Sequence, residues 1–316
     1  MKVTDYFERS QGQTLISFEV LPPLKGGSMQ DIFDILDPLM EFKPPFVDVT
    51  YHREEFVYKM QETGYYEKTA IRKRPGTVGI CASIMHRYGV DAVPHLICGG
   101  FSKEETENAL IDLQFLGINN VLALRGDARQ FEDKFIPEPN GHKFAVDLVK
   151  QMQEMNQGIY LDTNIDKGSK TDFCIGVAGY PEKHFEAPNL DQDIQYLIDK
   201  VKAGASYIVT QMFFDNEKFF EFVDKCRAAG IMVPIVPGLK PLTRKYQLNS
   251  IPRKFFINFP EALVKEVAKA DEKNIKQIGI EWCIQQSKEL KAKGVPCLHY
   301  YTMGDAETTI KIASSL

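Results

Sequence analysis

The chain has 316 residues, 44% hydrophobic and 26% charged, with a formal net charge of -5, an ordinary globular composition that suits one large barrel or two modest domains. No basic run exceeds Arg72-Lys73-Arg74, which excludes the footprint of a general nucleic-acid binder, and no apolar run is long enough to span a bilayer. The N-terminus lacks a signal-peptide pattern, and the six cysteines form no CxxC pair and mostly sit in apolar runs; buried free thiols in a cytoplasmic protein are the expectation.

Short, nearly continuous apolar runs follow one another along the chain, as strands buried on both faces should read. They cover Leu15–Val20, 46–51, 92–98, Asn120–Leu124, 173–178, 206–213, 232–236 and 295–302. Helical stripes lie between them. Ala145, Leu148, Val149, Met152 and Met155 share one face, and Leu190, Ile194, Leu197, Ile198 and Val201 share another. Phe219, Phe222, Cys226 and Ala229 repeat the spacing, with Gly230 as the expected C-cap. Residues 156–171 read as a polar surface insertion, and 237–294 should hold two or three helices. Eight strands alternating with helices predict a single (β/α)8 TIM barrel domain. A doubly wound open sheet is the alternative, but no GxGxxG follows the first strand.

A barrel would gather the residues that end each run at one mouth. These are Glu19, Thr50-Tyr51-His52, His95, Arg125-Gly126-Asp127, Tyr180-Pro181-Glu182, Thr210-Gln211, Pro237-Gly238 and Tyr300-Tyr301-Thr302. Strand ends are polar wherever a chain emerges into solvent, so most of these residues weigh little singly. Glu19 weighs more, because it lies inside an apolar run stiffened by Pro22 and Pro23. Desolvation there should favour its neutral form, a usable general acid; pairing with a cation such as Arg125 is the plainer alternative. A lone His95 in an apolar run is more often a satisfied core residue than a ligand. Neither His95 nor His184 has companions at metal-ligand spacing, so no metal is predicted. Ser17 and Ser206 lack a nucleophile-elbow context.

Six segments, in order, resemble the methylenetetrahydrofolate reductase family. They are Ser17-Phe18-Glu19-Val20-Leu21-Pro22-Pro23, Val47-Asp48-Val49-Thr50-Tyr51, Pro94-His95-Leu96, Ala123-Leu124-Arg125-Gly126-Asp127, Gly179-Tyr180-Pro181-Glu182 and Thr210-Gln211-Met212-Phe213-Phe214-Asp215. The resemblance implies a barrel carrying FAD, which takes hydride from NADH or NADPH and passes it in a ping-pong cycle to 5,10-methylenetetrahydrofolate, giving 5-methyltetrahydrofolate. It implies Glu19 as the general acid at the folate N10, Asp127 as the residue that tunes flavin and orients folate, and Gln211 as a pterin partner. The positions similar to the family's FAD contacts are Thr50, His95, Arg125, Gly126, Asp127, Phe144, Ala145, Tyr180, His184, Glu186, Ala187, Asp193 and Lys200. Arg125 and Lys200 suit the diphosphate and ribityl region. Lys245 stands where the family stacks an aromatic on substrate, and a one-residue shift would bring in Tyr246; Asp305 stands where the family often has an Arg. The resemblance also implies a homo-oligomer and, since the chain stops soon after the last strand, no S-adenosylmethionine inhibition. Two other readings stay open: the same flavin site with a different acceptor or donor, and a silent folate-binding barrel.

Overall fold

Eight strand positions close on themselves in the computed structural model, which describes residues 1–129, 132–166 and 168–316. The first half of the chain runs α1 (Val3–Arg9), β1 (Leu15–Val20), α2 (Met29–Leu39), β2 (Phe46–Val49), β3 (Glu55–Met60), β4 (Tyr66–Ile71), α3 (Thr77–Tyr88), β5 (Asp91–Ile97), α4 (Lys103–Phe115), β6 (Asn120–Leu124) and α5 (Ala145–Asn156). The second half runs β7 (Cys174–Gly179), α6 (Leu190–Lys202), β8 (Tyr207–Thr210), α7 (Asn216–Ala228), β9 (Ile235–Val236), β10 (Gly238–Leu239), α8 (Gln247–Phe255), α9 (Glu261–Lys269), α10 (Glu272–Ala292), β11 (Cys297–Tyr301) and α11 (Ala306–Ala313).

The parallel sheet has the order β10-β11-β1-β2-β5-β6-β7-β8-β9. Its two ends, β9 and β10, are halves of one strand interrupted at Pro237, which has no N–H to give the ladder. The Pro237 carbonyl still accepts from His299 N at 3.1 Å. One half pairs β8 and the other pairs β11, so the sheet becomes the expected eight-position β/α barrel. Three helices, α8 to α10, fill the expected excursion before the last strand. Gly230 adopts φ +84° just beyond α7, as its C-cap role required.

Antiparallel β3 and β4 form a hairpin that the apolar pattern does not announce. Tyr58, Met60, Tyr65 and Tyr66 on it are exposed, so no face carries a core-like alternation. Between α5 and β7 the chain forms no helix or strand among its described residues; Lys167, within the expected 156–171 insertion, lies outside them.

Alternation along each strand sends one set of side chains outward to the helices and the other into the barrel. The outward set includes Phe18, Val20, Val47, Val49 and Ile175, packed with Leu36, Leu148, Leu197 and Phe222 from the helices. The inward floor is Phe46, Val93, Leu122, Cys174, Tyr207, Val236 and Cys297, closed from below by Val3, Tyr6 and Phe7 of α1. Asn120 pins that plug, its Oδ1 accepting from Val3 N at 2.9 Å and its Nδ2 donating to Met1 O at 2.8 Å. Asn120→Ala should orphan both groups and cost about 2 kcal/mol, read as a fall of roughly 3 °C in Tm at about 2.1 cal/mol/K per residue. An unchanged Tm would show that α1 is not held by this side chain. No helix among the described residues is long and apolar enough to cross a membrane, and all six cysteines are buried and unpaired.

Candidate active site

Above the apolar floor the barrel interior turns polar. The same inward parity that places Leu15 in the floor places Ser17 and then Glu19 higher on β1. Register sets Glu19 opposite Asp48 of β2 and Tyr301 of β11, and Ser17 opposite His299. Glu19 Oε1 accepts from Thr50 Oγ1 at 2.6 Å. Its Oε2 faces two imidazoles, His95 Nε2 at 3.5 Å and His299 Nε2 at 3.7 Å. Asp48 Oδ2 lies 3.5 Å from the same His95 Nε2. Asp48, His95 and His299 are buried, and Glu19, with 13% of its side chain exposed, reaches the mouth above them.

Burial pushes the Glu19 carboxyl upward, but His95, His299 and the Thr50 hydroxyl together outweigh it and hold the group down at about 2. Burial opposes charge on His95 as well, yet Glu19 and Asp48 raise its pKa. The neutral Glu19 expected from burial alone is therefore corrected: its neighbours hold the carboxyl low, and Glu19 and Asp48 in turn raise His95. Its plainer expected partner is corrected too, because Arg125 pairs with Glu186.

A second group lines the mouth around β6, β7 and α6. Tyr180 and His184 meet edge-on with centroids 4.8 Å apart. Asp193 Oδ2 accepts from His184 N at 2.7 Å, and half-buried Lys200 donates to Ala178 O at 2.6 Å. Burial lowers Lys200 to about 8, only partly opposed by Asp193. Burial first, and then Arg125, lowers His184. Ala187 O accepts from Lys183 Nζ at 3.0 Å. Gly126 has φ +83°, and a Cβ there would come within 3.1 Å of Ile97, so the backbone runs close against the mouth's inner wall.

Asp127 is held through its backbone, whose carbonyl accepts from Arg53 Nη2 at 2.7 Å. Gln211 Oε1 accepts from Met212 N at 2.9 Å. Phe144, half-exposed, and Ala145 stand at the start of α5; Tyr246, 60% exposed, stands just before α8. The structure thus joins Glu19, Thr50 and His95 directly. It joins Arg125 to Glu186, and His184 to Tyr180 and Asp193. No direct contact ties Phe144 or Tyr246 to either group among the described residues.

Several residues at the mouth escaped the reading of the sequence. Asp48 and His299 look like interruptions of apolar runs, and Arg53 lies at the foot of the unannounced hairpin. The signal for the first two was parity: Ser17/Glu19, Asp48/Thr50 and His299/Tyr301 each place polar groups two apart, all facing inward. Asp305, in the position of the family's Arg, caps α11 by accepting from Thr308 N at 3.0 Å and pairs with Lys276 at 3.1 Å. Lys245 donates to Ala268 O at 3.0 Å.

The family model described as methylenetetrahydrofolate reductase matches residues 2–316. The chain is 33% identical over 329 aligned positions to methylenetetrahydrofolate reductase (NADH) 1 of Arabidopsis thaliana, covering 100% of this chain and 51% of that one, and so spans about half the plant relative's length. It is 32% identical to 5,10-methylenetetrahydrofolate reductase of Escherichia coli, covering 97% of this chain and 92% of that one. A solved structure of a Clostridium thermocellum protein that binds two copies of 5-methyl-5,6,7,8-tetrahydrofolic acid aligns over 100% of this chain and 98% of its own, with TM-score 0.57 and 15% identity, a likeness of fold alone.

Proposed function

The chain belongs to the methylenetetrahydrofolate reductase family, and from that premise we propose that it reduces 5,10-methylenetetrahydrofolate to 5-methyltetrahydrofolate with NADH or NADPH, through FAD held at the barrel mouth. The observation that carries this reading is an ionisable carboxyl, Glu19, set at the mouth over a buried pair of histidines. Such a constellation serves a reaction that must place one proton on a substrate atom in a dry site.

The side chains present fit FAD. Arg125 and Lys200 bring two cations to one side of the mouth, where a diphosphate would lie. Lys200 has no carboxylate within ion-pair distance among the described residues, so its charge is free for a ligand. The close backbone at Gly126 and the rings of Tyr180 and His184 offer flat and edge contacts to a planar ring system. FAD, when bound, supplies the hydride carrier between nicotinamide and folate. The protein supplies the rest: Glu19 delivers a proton to the folate N10, Asp127 orients the pterin and polarises the ring system, and Gln211 turns its amide to the pterin edge. Tyr246, exposed just before α8, would stack on the substrate in this reading.

Lys200→Met should weaken FAD retention about 10- to 100-fold, the worth of one charge-assisted hydrogen bond. Titrating flavin-stripped protein with FAD by fluorescence quenching reads this directly, and an unchanged Kd would remove Lys200 from the cofactor site. The function itself is tested by anaerobic absorption spectroscopy. Flavin bands should bleach with NADH or NADPH and return with methylenetetrahydrofolate. Bleaching without return would leave a flavin oxidoreductase with another acceptor, and a protein that takes up no flavin would be a silent barrel.

A further inference from the structure

Two carboxyls, buried Asp48 and partly buried Glu19, face one another across adjacent strands, and a single imidazole nitrogen, His95 Nε2, lies 3.5 Å from an oxygen of each. Neither Asp48 oxygen has a hydrogen-bond partner, nor has His95 Nε2. A carboxylate buried without donors is tolerated only beside a cation, and His95 is the group of that kind between the two. Although two histidines and two carboxylates meet here, no group of three or more such side chains among the described residues is disposed to hold a metal ion. The arrangement is that of a proton held between bases.

We propose that Asp48, His95 and Glu19 form a buried proton store, in which the His95 imidazolium supplies, through the Glu19 carboxylate, the proton that folate reduction consumes. The inference rests on the reductase reading above. Reduction of the methylene carbon takes up one hydride and one proton. The proton must reach N10 as the bond from N10 to the methylene carbon breaks and leaves its electron pair on that nitrogen. An ionised Glu19 has no proton of its own to give. In the relay, His95 Nε2 passes its proton to Glu19 Oε2, and Glu19 passes it to N10. The carbon, left as an iminium on N5, accepts the hydride whose electrons come from the nicotinamide. His95 ends neutral and recovers a proton from water when the mouth is open.

The surrounding groups leave His95 as the store. From β11, His299 turns Nε2 to Glu19, and its Nδ1 lies 2.8 Å from Ser17 Oγ. The Ser17 contact fixes the His299 ring, whose Nε2, 3.7 Å from Glu19, makes no hydrogen bond to the carboxylate. Tyr301, also on β11, donates to Thr210 O at 2.6 Å, and burial raises its phenol far above neutral pH. Tyr207 on β8 is raised in the same way, by burial first and Asp48 second. His52, in the segment after β2, is lowered by burial and by Arg74. Only His95 has carboxylates on two sides. Its 3.5 Å separation from Glu19 is longer than a hydrogen bond, as catalytic contacts often are before substrate closes the site.

Because the working form is protonated, folate reduction should hold steady at low pH and fall as pH rises through the raised pKa of His95. Asp48→Asn removes one of the two anions that raise it, so the fall should move to lower pH by about one unit. The test is a pH series of the folate half-reaction by stopped flow, on parent and Asp48→Asn, beside a histidine 15N NMR titration of the same proteins. The expected result is a His95 imidazolium at pH 7 in the parent, with its titration midpoint coinciding with the alkaline fall in rate. Both should shift together in Asp48→Asn. If Asp48→Asn does not fold, the parent titration decides alone: a neutral His95 at pH 7, or a midpoint away from the rate profile, overturns the store. A rate profile that stays put while the His95 midpoint moves overturns the relay only. A parent that never reoxidises with methylenetetrahydrofolate overturns the reductase reading, and the relay falls with it.

Discussion

Glu19→Gln is expected to leave flavin bound and NAD(P)H oxidation running while methylenetetrahydrofolate reduction falls by about 10³-fold, the middle of the range for loss of a general acid. The amide has nearly the same shape and can still accept from Thr50, so the mouth should keep its geometry. It cannot carry a proton from an imidazole to a substrate nitrogen. The hydride transfer from nicotinamide needs no such proton, which is why the two half-reactions should separate. Single-turnover absorbance checks both: bleaching by NADH near the parent rate, and return of colour with the folate slowed by three orders of magnitude. A variant that reoxidised within about tenfold of the parent would sink the general-acid role, because that factor is smaller than the 10²-fold floor for this kind of catalysis. The variant should also lower the pKa of His95, since it removes one of the two carboxylates that raise it.

The strands were legible because each is buried on both faces, and a doubly buried strand has to be apolar along its whole length. Their ends were less so. The run over 206–213 continues past the sheet, which stops at Thr210, because Met212 leaves it to pack with Leu242, Ile251 and Leu263 in a separate cluster. The run over 232–236 shrinks to Ile235–Val236, where Pro234 precedes the pairing and Pro237 interrupts it. The hairpin from Glu55 to Ile71 was hidden for the opposite reason: it has no buried face to write a pattern.

At the site, the presence of Glu19 was readable and its charge was not. Burial is a local property and shows in the apolar residues around it. The imidazoles that reverse its effect come from β5 and from β11, the latter 280 residues away in sequence, and nothing near Glu19 announces them. Asp48 is the sharper case. It sits between Val47 and Val49 inside a segment that carries the family resemblance, yet only closure of the barrel shows that it and Glu19 share one histidine.

Gly279→Ala should lower stability by about 3 kcal/mol, the upper part of the range for overpacking, or a fall of roughly 5 °C in Tm. Two effects compete at this position. Gly279 lies inside α10, where alanine is the better helix former by about 1 kcal/mol, and an exposed glycine there would gain from the change. Gly279 is instead pressed against backbone: an added Cβ would overlap the Leu242 carbonyl oxygen and lie 2.6 Å from its carbon and 3.1 Å from its Cα. A side chain could rotate away from a methyl group, but a main-chain carbonyl can only move with its loop. That loop runs from the end of β10 to α8, and Gln247 Oε1 holds it by accepting from Thr243 N at 2.7 Å and Arg244 N at 3.0 Å. Displacing Leu242 therefore strains the turn that carries Tyr246 to the rim, and the Michaelis constant for folate should rise along with the loss of Tm. Thermal melts and folate kinetics on the same preparation check the pair. A Tm that rises with an unchanged KM would mean that the loop yields freely and helix propensity wins; a fall in both stability and folate affinity would tie the seventh strand's loop to α10 as one packed unit.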